Sequence, residues 1–402
     1  MGGGACTPFH PSIREPPLSA ARPLPGWADV VLVPLLSVAA ALLVGGLVVA
    51  AIGVDPLMAV RELVQGSLGS GEGLGFTLYY ATNFIFTGLA VALAFQGGLF
   101  NIGAEGQAYV GGLGAALVCL HGGALPAWLL IPLGIGAAAL FGGAWAYVPG
   151  LLQARRGSHI VITTIMFNFL ASALMAYLLV NVLRAPGSMQ AESAAFPPAA
   201  AVPSIRSVLA AVGIAAPTTP LNLSFVLALL SAAAVWVVVW RTRIGYEIRT
   251  VGRNPSAALY GGISPARVTV LCMALSGALA GGVAVNEIMG VQNRLLLDFT
   301  AGYGFVGIAV ALMGRGHPLG VVLASFLFGV LYQGGAELAF DEPKITRDMI
   351  VVVQGLVVFF AGALEGLFRR GLAYLFAARL GPGETGEATV PARVAEPSGE
   401  VP

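Results

Sequence analysis

Gln96, Asn101, Glu105 and Gln107 lie inside residues 94–118, a stretch otherwise apolar enough to sit in a bilayer, and glycines 97, 98, 103 and 106 loosen the same turns. Three amides and one carboxyl group offer hydrogen bonds to a neutral polar partner, but they do not form a nucleophile with its base. Unpaired amide and carboxyl groups cost several kcal/mol in hydrocarbon, so this segment must face protein or water. It reads as the lining of a path through a membrane protein. Asn83 and Asn168, in neighbouring apolar segments, join the same set of path candidates. Glu105 keeps two readings: a path-lining group, or a group that hydrogen-bonds a broken helix.

Other chemistries lack their residues. The single lysine, Lys344, follows Glu342 and Pro343, so the chain cannot carry the Gly-x-x-x-x-Gly-Lys-Ser/Thr loop that brings a lysine to nucleotide phosphates. Neither His-Glu-x-x-His nor Gly-x-Ser-x-Gly occurs. His10, His121, His159 and His317 are scattered singly, and Cys6, Cys119 and Cys272 share no metal spacing. No catalytic residues and no metal site are expected. If ATP drives this protein, another chain hydrolyses it.

The elements that must position the polar residues are membrane helices. Hydrophobic residues are 57% of the 402 and charged ones only 10%, against about 25% charged in soluble domains. Ten crossings are expected, near 29–53, 76–96, 99–120, 126–149, 159–183, 222–240, 265–288, 301–314, 318–337 and 348–368, at about 20 residues each. The eighth is too short to cross and reads as a half-helix or re-entrant piece. The Pro-rich tail 1–26 and the chain after Arg379 read as disordered, with 371–402 as a C-terminal tail and 27–370 as the transmembrane permease domain. Glu287 and Asp298, near the outer end of the seventh span, read as surface groups or contacts for an external receptor.

Arginines set the orientation. Arg155 and Arg156, Arg241 to Arg253, and Arg369 to Arg379 fall on one side in a ten-span count, with Arg14 and Arg22. The positive-inside rule makes that side, and both termini, cytoplasmic. Loops 54–73 and 184–221 are then external, and Asp55-Pro56 predicts a capped interfacial helix in the first.

The cytoplasmic loop 241–264 carries the clearest local signal. Asn254 caps, Pro255 fits the first helical position, and Gly261 with Gly262 stops the chain, predicting a short helix over 255–260. Its surface is small and aromatic. It is either a docking knob for a partner or an ordinary interfacial turn.

Four segments, beginning at Leu99, His159, Val251 and Gly302, resemble in order and spacing the bacterial ABC permeases for ribose, branched-chain amino acids and nucleosides: LFNIGAEGQ, HIVITTIMFNF, VGRNPSAALYGGI and GYGFVGIAVALMGR. The resemblance covers about residues 80–370. It implies an all-α permease similar to the cobalamin-importer fold, made of about ten transmembrane helices, in the inner membrane. It also implies two permease chains, two ATPase modules holding ATP and magnesium, and an external solute-binding lipoprotein. By it, the knob is the coupling helix, with Arg249, Gly252, Arg253, Asn254, Pro255, Ala257, Ala258, Leu259 and Gly261 facing the ATPase. His159 to Phe169 looks most like the nucleoside branch, although Ile160 stands where that branch has an acidic residue. That branch pairs two different permeases. Ribose-type sugars and branched-chain amino acids are the alternative cargoes. An ion-coupled transporter, which would need several buried acids, and a non-transporting scaffold are the rivals from other classes.

Overall fold

The computed structural model describes residues 32–51 and 53–341, with a few further positions between 351 and 372. The expected tails, Lys344 and most of the expected tenth span lie outside them. The described chain is helical, and its only strand-like pairings are the isolated bridges Arg184 to Ser193, Glu192 to Leu296 and Ser204 to Asn222. The bridge from Glu192 to Leu296 ties the long loop 184–221 to the chain that follows the seventh expected span, and the other two lie within the loop and at its end.

Helices occupy the described parts of the first nine expected segments. They are α1 (Val33–Ala51), α2 (Pro56–Leu68), α3 (Gly71–Gln96), α4 (Ala104–His121), α5 (Ala127–Arg156), α6 (Ile160–Asn181), α7 (Ile205–Ala211), α8 (Ser224–Arg241), α9 (Arg243–Arg253), α10 (Pro255–Tyr260), α11 (Pro265–Ala280), the single turn α12 (Gly282–Ala284), α13 (Tyr303–Met313) and α14 (Pro318–Asp341). After α12 the chain continues as a π-helix, Val285–Gln292.

Among the described residues six helices are long and apolar enough to cross a membrane: α3, α5, α6, α8, Pro265–Gln292 and α14. The pair α1 and α2 counts as a seventh if read as one span, bent by 118°. The remaining expected spans differ for physical reasons. The 18-residue α4 is diluted by its polar side chains and glycines, and nearly all of it is buried inside the bundle. The 11 residues of α13 reach about 16 Å at 1.5 Å per residue, half a bilayer core. Asp55 caps α2 as expected, accepting from the Leu57 N–H at 2.9 Å. That helix nevertheless packs on α14 and α3 instead of lying apart.

The bundle is held by backbone proximity. At Gly142 on α5 and Gly277 on α11, a Cβ on either would collide with the other's carbonyl oxygen. Such small-residue seams let membrane helices gain van der Waals contact where hydrophobic burial gives no advantage over lipid. The centre of the bundle is α3, whose residues from Ala81 to Ala94 are all buried.

Candidate functional site

Between α3 and α4 the chain breaks at Gly97–Gly103, and Asn101 organises the break. Its amide donates to Gln107 Oε1 at 2.9 Å and to Ser276 Oγ at 2.8 Å, while its own oxygen accepts from the Gly103 N–H at 2.8 Å and Gln107 Nε2 at 3.1 Å. The Ser276 hydroxyl in turn donates to the Ala90 carbonyl at 2.6 Å. Asn168 of α6 grips the same break, accepting from the Gly106 N–H and donating to the Ile102 carbonyl, both at 2.9 Å. Asn101, Gln107 and Asn168 are buried with these groups in contact. A fully satisfied buried network rigidifies its surroundings, because each member is expensive to leave unpaired.

The second break is opposite. After the π-helix the chain returns through residues 293–302 and restarts as α13. Glu105 receives that start: the Gly302 N–H donates to Oε1 at 2.9 Å and the Gly304 N–H to Oε2 at 2.7 Å. The Thr300 hydroxyl bonds the carboxylate as well. Glu105 thus caps a helix in another part of the chain, satisfying orphan N–H groups and complementing the helix dipole. Gly304 lies so close that a Cβ would meet the backbone of Glu105. Four residues along α4, Tyr109 donates to the exposed Asp298 at 3.0 Å and accepts from its N–H. Two broken segments therefore meet through one carboxylate. Discontinuous helices of this kind are tolerated only where they are buried in protein or line a cavity.

Toward the end of the bundle away from α10, Asn83 does not join this group. It donates to Glu287 Oε1 at 2.6 Å and accepts from Asn286 at 2.9 Å. Asn286 in turn accepts from Ser224 at 2.6 Å and from Asn222 at 3.0 Å. Glu287, expected at the surface, is 4% exposed and is also bonded by Tyr79. The π-helical turns carry Asn286 and Glu287 onto the α3 side, which a residue count at 3.6 per turn does not reveal. Beside it stands an aromatic cluster that the sequence reading missed: Phe84 meets Tyr303, Phe328 and Tyr332 at 5.6, 6.1 and 4.9 Å between ring centres. The Tyr79-Tyr80 pair followed by Phe84 was its only local signal.

Gln96 lies at the opposite end, donating to the Gly316 carbonyl in the α13–α14 turn at 3.0 Å. Trp240, near the end of α8, contacts His317 of that turn with ring centres 5.1 Å apart. The loop 241–264 projects from here. In α9, Gly245, Ile248 and Val251 are buried and Arg243 pairs with Glu247 at 3.3 Å. Asn254 accepts from the Ala257 N–H at 3.0 Å and Pro255 opens α10, which spans the residues expected. Ala258 is fully buried, pointing back into the protein, whereas Leu259 and Tyr260 are 65% and 95% exposed. Arg253, Asn254, Pro255, Ala257 and Gly261 are exposed, and Arg249 is half-buried with an Nε atom that has no partner. Gly252 makes the decisive contact. A Cβ there would collide with the Gln96 carbonyl oxygen and stand 2.9 Å from the Gly98 nitrogen. The base of the knob rests directly on the α3–α4 break.

Comparison with known proteins identifies the family. Residues 73–362 match the family described as branched-chain amino acid transport system / permease component. The chain is 35% identical over 362 residues to the glucose ABC transporter permease protein TsgB13 of Haloferax volcanii, covering 89% of this chain and 94% of that one. It is 32% identical over 331 residues to the nucleoside ABC transporter permease protein NupB of Lactococcus lactis, covering 82% and 90%. It is 33% identical over 345 residues to the guanosine ABC transporter permease protein NupP of Bacillus subtilis, covering 85% and 95%. No solved structure matches. The chain belongs to this permease family: it is a multi-pass membrane subunit of an ABC importer and not itself an enzyme.

Proposed function

We propose that this permease carries nucleosides inward, driven by a separate ATPase subunit that seats α10. The observation that carries the coupling reading is the contact of Gly252 with Gln96 and Gly98. It joins an exposed, capped knob to the buried break that bears Asn101 and Glu105. ATP and magnesium bind the ATPase alone. Closure of the ATPase dimer pulls α10, and α9 transmits the pull to the break because no side chain cushions the contact. Packed elements of this kind switch between discrete arrangements and do not deform continuously. Leu259, Ala257 and Tyr260 fill the ATPase groove, Arg253 and Arg249 meet its carboxylates, and Ala258 anchors the knob from behind.

The loop carrying α10 lies in the cytoplasm together with both termini, and the architecture is the ten-span one of cobalamin-type importers in the inner membrane, with 301–314 as a re-entrant piece. Gln96, Asn101, Glu105, Gln107, Asn168 and Asn83 shape the path by fixing the segments beside it, and an external lipoprotein supplies the solute. Pairing with a different permease is supported by Bacillus subtilis, whose guanosine permease proteins NupP and NupQ are 33% and 27% identical to this chain.

The nucleoside reading rests on the resemblance of residues 159–169 and on NupB and NupP. The glucose permease relative favours a sugar as the second reading. Both solutes present a neutral ring rich in hydroxyls. Uptake of labelled guanosine, uridine, glucose, ribose and leucine by cells with and without this chain, with its partner subunits present in both, tests the reading. Loss of guanosine or uridine uptake supports it. Loss of glucose, ribose or leucine uptake alone overturns the nucleoside assignment and keeps the importer.

A further inference from the structure

The seam between α5 and α11 leaves an open furrow on its outer side. Its section at the α10 end holds about 450 Å³ and is lined by Tyr147, Leu151, Arg155, Arg267, Val270 and Ala274. A second section of about 500 Å³ shares Tyr147 and Ala274 with the first and continues past Ala139, Gly143, Ala144 and Ala278. Ala139 and Ala278 also line a third section, reaching Phe86 and Val235, which makes the furrow continuous along the helices. Each of the first two sections falls within the roughly 300–1,000 Å³ of small-molecule sites. The small residues that bring α5 and α11 together are the reason the furrow exists, since they leave no side chain to fill it.

The charge distribution along the furrow is uneven. Apart from Arg155 and Arg267 at its mouth, no lining residue of these sections is charged, and beyond the mouth the walls are apolar but for Ser231 and the Tyr147 hydroxyl. The described ion pairs are Arg243 with Glu247 and Arg294 with Glu192. Arg155 and Arg267 therefore face the mouth with no carboxylate between them. The mouth is at the end of α5 and the start of α11, the same end as α10.

We propose that this furrow binds one anionic phospholipid of the leaflet on the α10 side, its phosphate between Arg155 and Arg267 and an acyl chain along Ala274 and Ala278. Basic pockets between membrane helices recognise lipid headgroups in this way, at about 1 kcal/mol per arginine. The site is independent of which solute the permease carries.

The test is lipid retention by the full chain, purified in mild detergent with its partner subunits from nanodiscs of equal phosphatidylglycerol and phosphatidylcholine, and read by mass spectrometry. Phosphatidylglycerol is expected to be retained in preference. Arg155→Gln with Arg267→Gln lowers that retention on the order of 30-fold. Ala274→Leu with Ala278→Leu, which closes the furrow and keeps both charges, also lowers it. Retention unchanged in either variant, or equal retention of the two lipids, overturns the proposal. Displacement of the lipid by millimolar inorganic phosphate would mean a free-anion site instead. A cysteine in place of Ala144 that cross-links to the second permease chain would make the furrow a subunit interface and overturn the lipid assignment.

Discussion

The knob α10 and the buried break between α3 and α4 are both short, glycine-bounded pieces, yet they are built in opposite ways. Around α10 the bonds are local: Asn254 caps a nitrogen three residues on, and the Leu259 and Tyr260 side chains are 65% and 95% exposed. Around the break nearly every polar group is used up by distant partners, Asn101 by Ser276, Asn168 by Gly106, and Glu105 by Gly302 and Gly304. One region leaves its side chains exposed, and the other is satisfied within the fold. The polar residues buried in this bundle therefore hold helices and breaks in position, and the surface left incomplete is the one proposed to meet the ATPase.

Substitutions at the contact joining the two regions should have the largest effect. Gly252→Val places a branched side chain against the Gln96 carbonyl and should cost several kcal/mol, read as loss of folded chain and of uptake; normal expression with full uptake would break the proposed link. Asn168→Leu strands the Gly106 N–H and the Ile102 carbonyl, at about 1–3 kcal/mol for each group left unsatisfied, and thermal unfolding in detergent should report it. Glu105→Gln comes next, because an amide keeps one acceptor for Gly302 or Gly304 but turns a donor toward the other. A stability loss of about 1–3 kcal/mol is expected, and Glu105→Ala should exceed it. Asn254→Ala removes only the cap, about 1 kcal/mol of local helix stability, which hydrogen exchange at α10 would register with little change in global unfolding.

The sequence made the knob legible because capping is local chemistry: Asn254, Pro255, Gly261 and Gly262 are consecutive signals read without knowing the fold. The helical class and the half-length of α13 were legible for the same reason. That Asn83, Asn101, Gln107 and Asn168 lie inside the protein followed from polarity in an apolar run, but their partners did not. Glu105 and Gly302 are 197 positions apart, and nothing in either neighbourhood names the other. Glu287 was misplaced because a π-helix changes the residues per turn without an obvious sequence mark. The inward turn of Ala258, at the centre of the knob, depends on how α9 packs, which is a tertiary fact.

Co-purification of the ATPase subunit with Leu259→Asp, Tyr260→Asp and unaltered permease, alongside solute uptake, tests the central claim most directly. Both side chains project from the fold, so stability should stay within about 0.5 kcal/mol of the unaltered chain. The ATPase is expected to be lost from the variants, and uptake to fall with it. Full recovery of the ATPase with both variants, at unchanged uptake, would contradict that claim.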